Sequence, residues 1–227
     1  MTGKLFGVGI GPGDSELLTL KAVRVIKEAD IIAVPGSKKE DTVAYNIALG
    51  AVPELSEKEV MEIEWPMTKN METLNKVYDA ASQRICMLLD EGKKVAFLTL
   101  GDPCIYSTYL YIHRKVTEAG YDTELVNGIP SFCAVAARLN MGLVERAEQL
   151  HVIPNLDNIE DNLQLPGTNV LMKSGKRVAG FKEAFENFDG SFSMIENCGM
   201  EGERIFNSPE DIPQDMGYYA TMVLKEK

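Results

Sequence analysis

Positive charge is what the sequence is short of. Lysine and arginine number 23 against 34 aspartates and glutamates, a net charge of −11. A nucleic-acid surface needs the opposite balance, because lysine and arginine hold the phosphates, so no nucleic-acid partner is expected. Histidine is scarcer still: His113 and His151 are the only two, too few for a metal cluster. Cys86, Cys104, Cys133 and Cys198 lie far apart with no C-x-x-C pair. That spacing argues against a zinc site or a disulfide framework and reads as reduced thiols in a cytoplasmic protein. No apolar run is long enough to span a bilayer, and no signal-peptide pattern opens the chain. With 45% apolar and 25% charged residues over 227 positions, the expectation is a soluble cytoplasmic protein of one large or two small domains, without a membrane partner.

What is present centres on Leu5-Phe6-Gly7-Val8-Gly9-Ile10-Gly11-Pro12-Gly13-Asp14-Ser15. A strand-like run carries glycine at alternate positions and breaks at Gly11-Pro12-Gly13. Ser15 is the expected N-cap of a helix bearing Leu17, Leu18, Leu20, Val23, Val25 and Ile26. Strand, glycine turn and helix open a βαβ unit, and glycines let a ligand approach the backbone. A dinucleotide fingerprint G-x-G-x-x-G fails here, since its third glycine falls on Pro12 or Asp14. Proline has no N–H to offer a pyrophosphate, and aspartate repels one. A nucleotide-dependent oxidoreductase is thereby disfavoured.

Further along, strands are expected at 30–35, 62–66, 94–100 and 122–126, and helices at 41–50, 71–91, 106–119 and 132–139. The repeated β-then-α order predicts a parallel sheet covered by helices. Ligands bind at the carboxyl ends of such strands. Three turns fall there: Gly11-Pro12-Gly13, Gly101-Asp102-Pro103 and Asn127-Gly128-Ile129-Pro130-Ser131. From residue 128 the pattern changes. Short strands at 151–153, 169–172, 191–197, 204–206 and 218–224, with a helix at 179–188, predict a second, strand-richer α/β domain. The expected domains are 1–127 and 128–227.

These motifs together resemble the tetrapyrrole methylases, which use S-adenosylmethionine to methylate corrin and sirohaem precursors. The resemblance rests on Val8 to Asp14, Leu100 to Pro103, Gly128 to Ser131 and Glu196-Asn197-Cys198-Gly199, and it covers nearly the whole chain. Phe97 to Tyr109, Asn127 to Phe132 and Gly13 to Arg24 look most like the C-20 methyltransferases of precorrin-2 or cobalt-factor II, in cobalamin biosynthesis. The third turn departs from the family's usual Pro-Gly-Val-Thr-Ser, and Pro130 removes one backbone donor there.

The resemblance implies two α/β domains, a parallel sheet in the first and a mixed sheet in the second. It also implies an active site in the cleft between them and a homodimer. It places S-adenosylmethionine against Pro12, Gly101, Asp102, Ile105, Pro130, Ser131, Met172, Gly199 and Ala220. Tyr106 and Lys173 are candidate contacts for the tetrapyrrole, whose carboxylates a lysine attracts. No residue is singled out as a general base, and no metal site is expected beyond a cobalt carried by the substrate. Asp102 reads either as a cofactor contact or as a turn former, and Ser131 as a contact or a helix cap. Alternatives are a relative acting at another ring position or acceptor, and a tetrapyrrole-binding protein without turnover.

Overall fold

The structure, a computed structural model, describes residues 3–66, 68, 70–173, 175–178, 182–186 and 188–226. Its contacts divide the chain into two compact units, Met1–Pro130 and Ser131–Lys227.

The first unit alternates strand and helix: β1 (Lys4–Gly9), α1 (Leu20–Glu28), β2 (Ile31–Pro35), α2 (Val43–Ala51), β3 (Glu59–Ile63), α3 (Met71–Asp90), β4 (Lys94–Thr99), α4 (Tyr109–Glu118) and β5 (Asp122–Val126). The sheet order is β3-β2-β4-β1-β5 with every pairing parallel. The inner strands β1, β2 and β4 are buried on both faces, which is why these segments read as nearly continuous apolar runs, whereas the edge strands β3 and β5 are partly exposed. Leu5, Ile31, Ala33, Val95 and Phe97 pack with Tyr78, Ile85, Leu89, Tyr109 and Ile112 of α3 and α4. The alternate residues Val8, Ile10, Ile32, Val34, Ala96 and Leu98 are equally buried, on the face that α1 and α2 cover. Gly7 belongs to this packing, because a Cβ there would overlap the Tyr109 ring. Trp65 lies beyond β3 and packs on Tyr78 and Phe97, with ring centroids 5.6 and 6.3 Å away.

Two helix starts differ from expectation. Asp14, not Ser15, accepts a cap bond, from Glu16 N–H, and opens only the 3-10 turn Ser15–Leu17. The α-helix begins after Thr19, whose hydroxyl accepts from Ala22 N–H at 3.1 Å. The expected helix at 106–119 begins only at Tyr109, because Tyr106 has a φ of 49°, which no right-handed helix accepts.

The second unit contains α5 (Ser131–Arg138), β6 (Leu150–Ile153), α6 (Ile159–Asn162), β7 (Thr168–Met172), α7 (Gly175–Val178), α8 (Lys182–Glu186), β8 (Gly190–Glu196), β9 (Arg204–Phe206) and β10 (Ala220–Glu226). Of the helix expected at 179–188, residues 179–181 and 187 lie outside the described residues. The sheet order is β6-β7-β10-β8-β9. Only β6 and β7 pair in parallel; the other neighbours are antiparallel, so the sheet is mixed. Its core joins Leu171, Met194, Met222 and Leu224 to Val178 and Phe185 of α7 and α8. No described helix is long and apolar enough to cross a membrane.

Candidate active site

Topology sets the first part of the site. β1 leads through α1 to β2 on one side, while its neighbour β4 leads through α4 to β5 on the other. Adjacent parallel strands whose connections diverge leave a crevice at their carboxyl ends. The three glycine turns sit on that rim, since Gly9 aligns with Thr99 and Val8 with Val126.

The turns are tied to one another through their backbones. Gly11 N–H donates to Gly101 C=O at 3.3 Å, and Gly101 N–H donates back to Gly11 C=O at 2.8 Å. A Cβ on Gly9 would press on Gly128 and Gly101, and a Cβ on Gly128 would overlap the Gly101 carbonyl. These glycines therefore serve first to let three loops touch. Gly101 is different: its φ is +71°, and among the described residues a Cβ there would find only Ile129 C=O, at 3.9 Å. Gly101 is buried, yet space for a methyl-sized group lies beside its Cα, where a ligand atom could meet the main chain.

Asp102 clasps two of these turns, its own and the one at 127–131. It is 6% exposed, and its Oδ1 accepts from Cys104 N–H at 2.7 Å. Its Oδ2 accepts from Gly128 N–H at 3.0 Å and from Asn127 Nδ2 at 3.2 Å. Thr19 adds a tie from the start of α1, donating its hydroxyl to Asn127 C=O at 3.3 Å. Pro12 is buried beside Gly11, while Ile105 and Pro130 are half-buried on their loops. Ile105 N–H donates to the Asp102 carbonyl at 3.2 Å. Burial, followed by the Asp102 carboxylate alongside, pushes the Cys104 thiol pKa up. That direction favours the protonated thiol over the thiolate nucleophile. His113 packs on α4 against Tyr109, whose hydroxyl lies 3.1 Å from Nδ1, and burial lowers the imidazole pKa.

In the second unit the expected residues gather at one end of the sheet. Thr221 pairs in register with Met172, and Ala220 with Glu196. The Thr221 hydroxyl donates to Ser131 Oγ at 3.1 Å, joining β10 to the start of α5. Asn197 N–H donates to Tyr219 C=O at 2.8 Å, which fixes the loop carrying Gly199. Gly199 has a φ of +73° and donates its N–H to Glu203 at 2.9 Å. Glu203 in turn accepts from Arg138 Nε of α5 at 2.7 Å. Glu196 is buried and accepts from Arg204 Nε at 2.6 Å and from Gly217 N–H. Lys173 follows Met172 with a φ of 56°. Its side chain is solvent-exposed, yet desolvation by the protein around it lowers its ammonium pKa. His151 is remote in role, lying on β6 with Nε2 3.0 Å from Pro166 C=O.

Three residues of this arrangement were not singled out from sequence: Thr221, Asn127 and Thr19. Their contacts join positions 90, 25 and 108 residues apart, so no local pattern announces them. Among the described residues, no group of three or more His, Cys, Asp or Glu is placed to hold a metal ion.

Glycine turns touching at the divergence of a parallel sheet's connections are where open α/β sheets take ligands, and comparison with known proteins gives the class of this chain. Residues 4–212 match the family model described as tetrapyrrole (corrin/porphyrin) methylases. A probable cobalt-precorrin-2 C(20)-methyltransferase of Methanocaldococcus jannaschii is 41% identical over 203 residues, covering 89% of this chain and 86% of that protein. The cobalt-precorrin-2 C(20)-methyltransferase of Salmonella typhimurium is 28% identical over 236 residues, covering 100% and 98%. Among solved structures, uroporphyrin-III C-methyltransferase of Thermus thermophilus superposes with a TM-score of 0.73 at 24% identity, covering 100% of this chain and 93% of that one. A structure of the Thermus enzyme complexed with S-adenyl homocysteine gives a TM-score of 0.70 at 20% identity, covering 99% and 98%. At those identities the structural likeness establishes the fold. The chain belongs to the tetrapyrrole methylase family, and its class is methyltransferase.

Proposed function

We propose that the protein transfers the methyl group of S-adenosylmethionine to C-20 of precorrin-2 or its cobalt form, cobalt-factor II, in the assembly of the corrin ring. The observation that carries this reading is the 41% identity to a C(20)-methyltransferase across 89% of the chain. The segment from Phe97 to Tyr109 supports it.

The rim fits such a cofactor. A left-handed glycine leaves space beside the main chain at Gly101, and Pro12 and Ile105 supply apolar contact beside it. In this reading Pro12, Gly101, Ile105 and Pro130 hold the cofactor from the first unit. Ser131, Met172, Gly199 and Ala220 are the proposed cofactor positions of the second unit. Asp102 has three of its acceptor sites taken by loop donors, and the arrangement supports a role in shaping the rim as well as any direct contact. Bound S-adenosylmethionine supplies an activated methyl on a sulfonium whose departure leaves a neutral thioether. The residues contribute alignment and exclusion of water, and alignment alone supports about 7–11 kcal/mol of barrier lowering. Tyr106 and Lys173 are the proposed tetrapyrrole contacts, the lysine for carboxylates. A cytoplasmic homodimer, with the two compact units as its domains, completes the reading; light scattering behind size exclusion tests the dimer.

The experiment is a titration of the purified protein with S-adenosylhomocysteine, followed, on fresh protein, by anaerobic single turnovers of S-adenosylmethionine with precorrin-2 and with cobalt-factor II in parallel. Binding of S-adenosylhomocysteine and addition of one methyl to either macrocycle are expected. Binding without methylation of either one contradicts the choice of acceptor, and absence of binding contradicts the reading as a whole.

A further inference from the structure

β10 is buried from Ala220 to Leu224, and Thr221 carries the one polar side chain of that run. Ala220, Met222 and Leu224 belong to the core formed with α7 and α8, so Thr221 and Val223 face the other side of the sheet. α5 packs on this strand. Thr221 is 6% exposed, and a buried hydroxyl needs a partner. Among the described residues that partner is Ser131 Oγ, 3.1 Å away at the start of α5. Valine has the same shape and would bury there with no polar group to satisfy, so packing alone does not call for a hydroxyl.

The bond has a direction. Thr221 donates, so Ser131 Oγ accepts and keeps its own proton. Among the described residues no backbone N–H of α5 bonds that oxygen, so the serine is not spent on capping its helix. Thr221 takes one lone pair of Ser131 Oγ and turns the serine proton away from β10. Ser131 is half-buried and presents that proton as a donor. Met172 pairs in register with Thr221 and lies on the same face of the sheet. Two of the proposed cofactor positions of the second unit thus flank one buried hydroxyl.

We propose that Thr221 is a positioning residue that fixes the Ser131 hydroxyl as a hydrogen-bond donor to an acceptor atom of the cofactor. The inference rests on the function proposed above and deepens it by assigning the polarity of one contact and the residue that sets it.

The test is a double-mutant cycle of Thr221→Val and Ser131→Ala, with Thr221→Ser as the conservative variant. Each is titrated with S-adenosylhomocysteine, and its melting temperature is measured alongside. Ser131→Ala is expected to lose roughly tenfold in affinity and Thr221→Val roughly threefold, the scale of one hydrogen bond. The double variant should bind no more weakly than Ser131→Ala, and Thr221→Ser should bind as wild type does. Losses that multiply in the double variant, or a Thr221→Val that melts lower but binds with undiminished affinity, would make the bond a matter of folding and overturn the inference. Undiminished binding by Ser131→Ala overturns it too. Two further probes locate the acceptor: decarboxylated S-adenosylhomocysteine, which keeps the ammonium, and methylthioadenosine, which has neither group. A loss that persists with both puts the acceptor on the nucleoside, and one that vanishes with both puts it on the carboxylate. A loss that persists with the first and vanishes with the second makes the ammonium the partner and overturns the inference. Failure of the wild-type protein to bind S-adenosylhomocysteine overturns the functional reading itself, and this inference with it.

Discussion

At the scale of residues, the clasp around Asp102 makes the sharpest demand on the account. Asp102→Ala strips an acceptor from Gly128 N–H, Cys104 N–H and Asn127 at once. Leaving a buried donor unsatisfied costs about 1–3 kcal/mol, so urea denaturation should show a loss on that scale, with weaker S-adenosylhomocysteine binding. Asn127→Ala, which removes one bond of the clasp, should weaken the same binding in the same direction by less. An affinity unmoved in both variants would detach the clasp from the site. Gly128→Ala should be worse tolerated than its size suggests, because the added Cβ overlaps the Gly101 carbonyl. Overpacking of this kind costs about 1–3 kcal/mol, read as a lower urea midpoint. The sequence showed that these turns carry glycine and aspartate. It did not show that Gly9 and Gly128 are glycines chiefly because the turns touch there, since that depends on which strands are neighbours.

Among elements, β5 is secured to its surroundings by charge. Glu124 accepts ion pairs from Lys4 of β1 at 2.9 Å and Lys21 of α1 at 2.6 Å. Lys21 first and then Lys4 hold its carboxyl pKa down, to about 2. Because the folded pKa lies below the unfolded one, the stabilisation is present above the ordinary value of 4.5 and is lost as pH falls toward about 2. Glu124→Gln should therefore lower the melting temperature most near neutral pH, with the gap closing below pH 4.5 and narrowing in high salt. A gap independent of pH would mean that packing, not charge, was lost. The parallel sheet was legible from the alternation of apolar runs with helical periodicity. The start of α1 was not, because Asp14 and Ser15 are consumed by a 3-10 turn and Thr19 caps the helix proper. Likewise Tyr106 reads as helical by composition and is excluded only by its backbone.

For the whole molecule, the family follows from the match over residues 4–212 and the relative at 41% identity, and the fold agrees with it. The two-unit α/β architecture was visible in the change of pattern near residue 128. The ties within the second unit, through Thr221, Glu196 and Arg204, were not, since antiparallel strand order cannot be read from strand positions alone. A ligand that binds only the folded protein stabilises it by mass action. S-adenosylhomocysteine at a hundred times its dissociation constant should thus add about 2.7 kcal/mol to unfolding, read as a higher urea midpoint. An unchanged midpoint would mean that it does not bind. The most direct measurement is the position of the transferred methyl. The protein is incubated anaerobically with 13C-methyl S-adenosylmethionine and, separately, precorrin-2 and cobalt-factor II, and the product is read by NMR. The account predicts label at C-20 of one of these macrocycles. Label at another carbon, or no label despite bound cofactor, would contradict it.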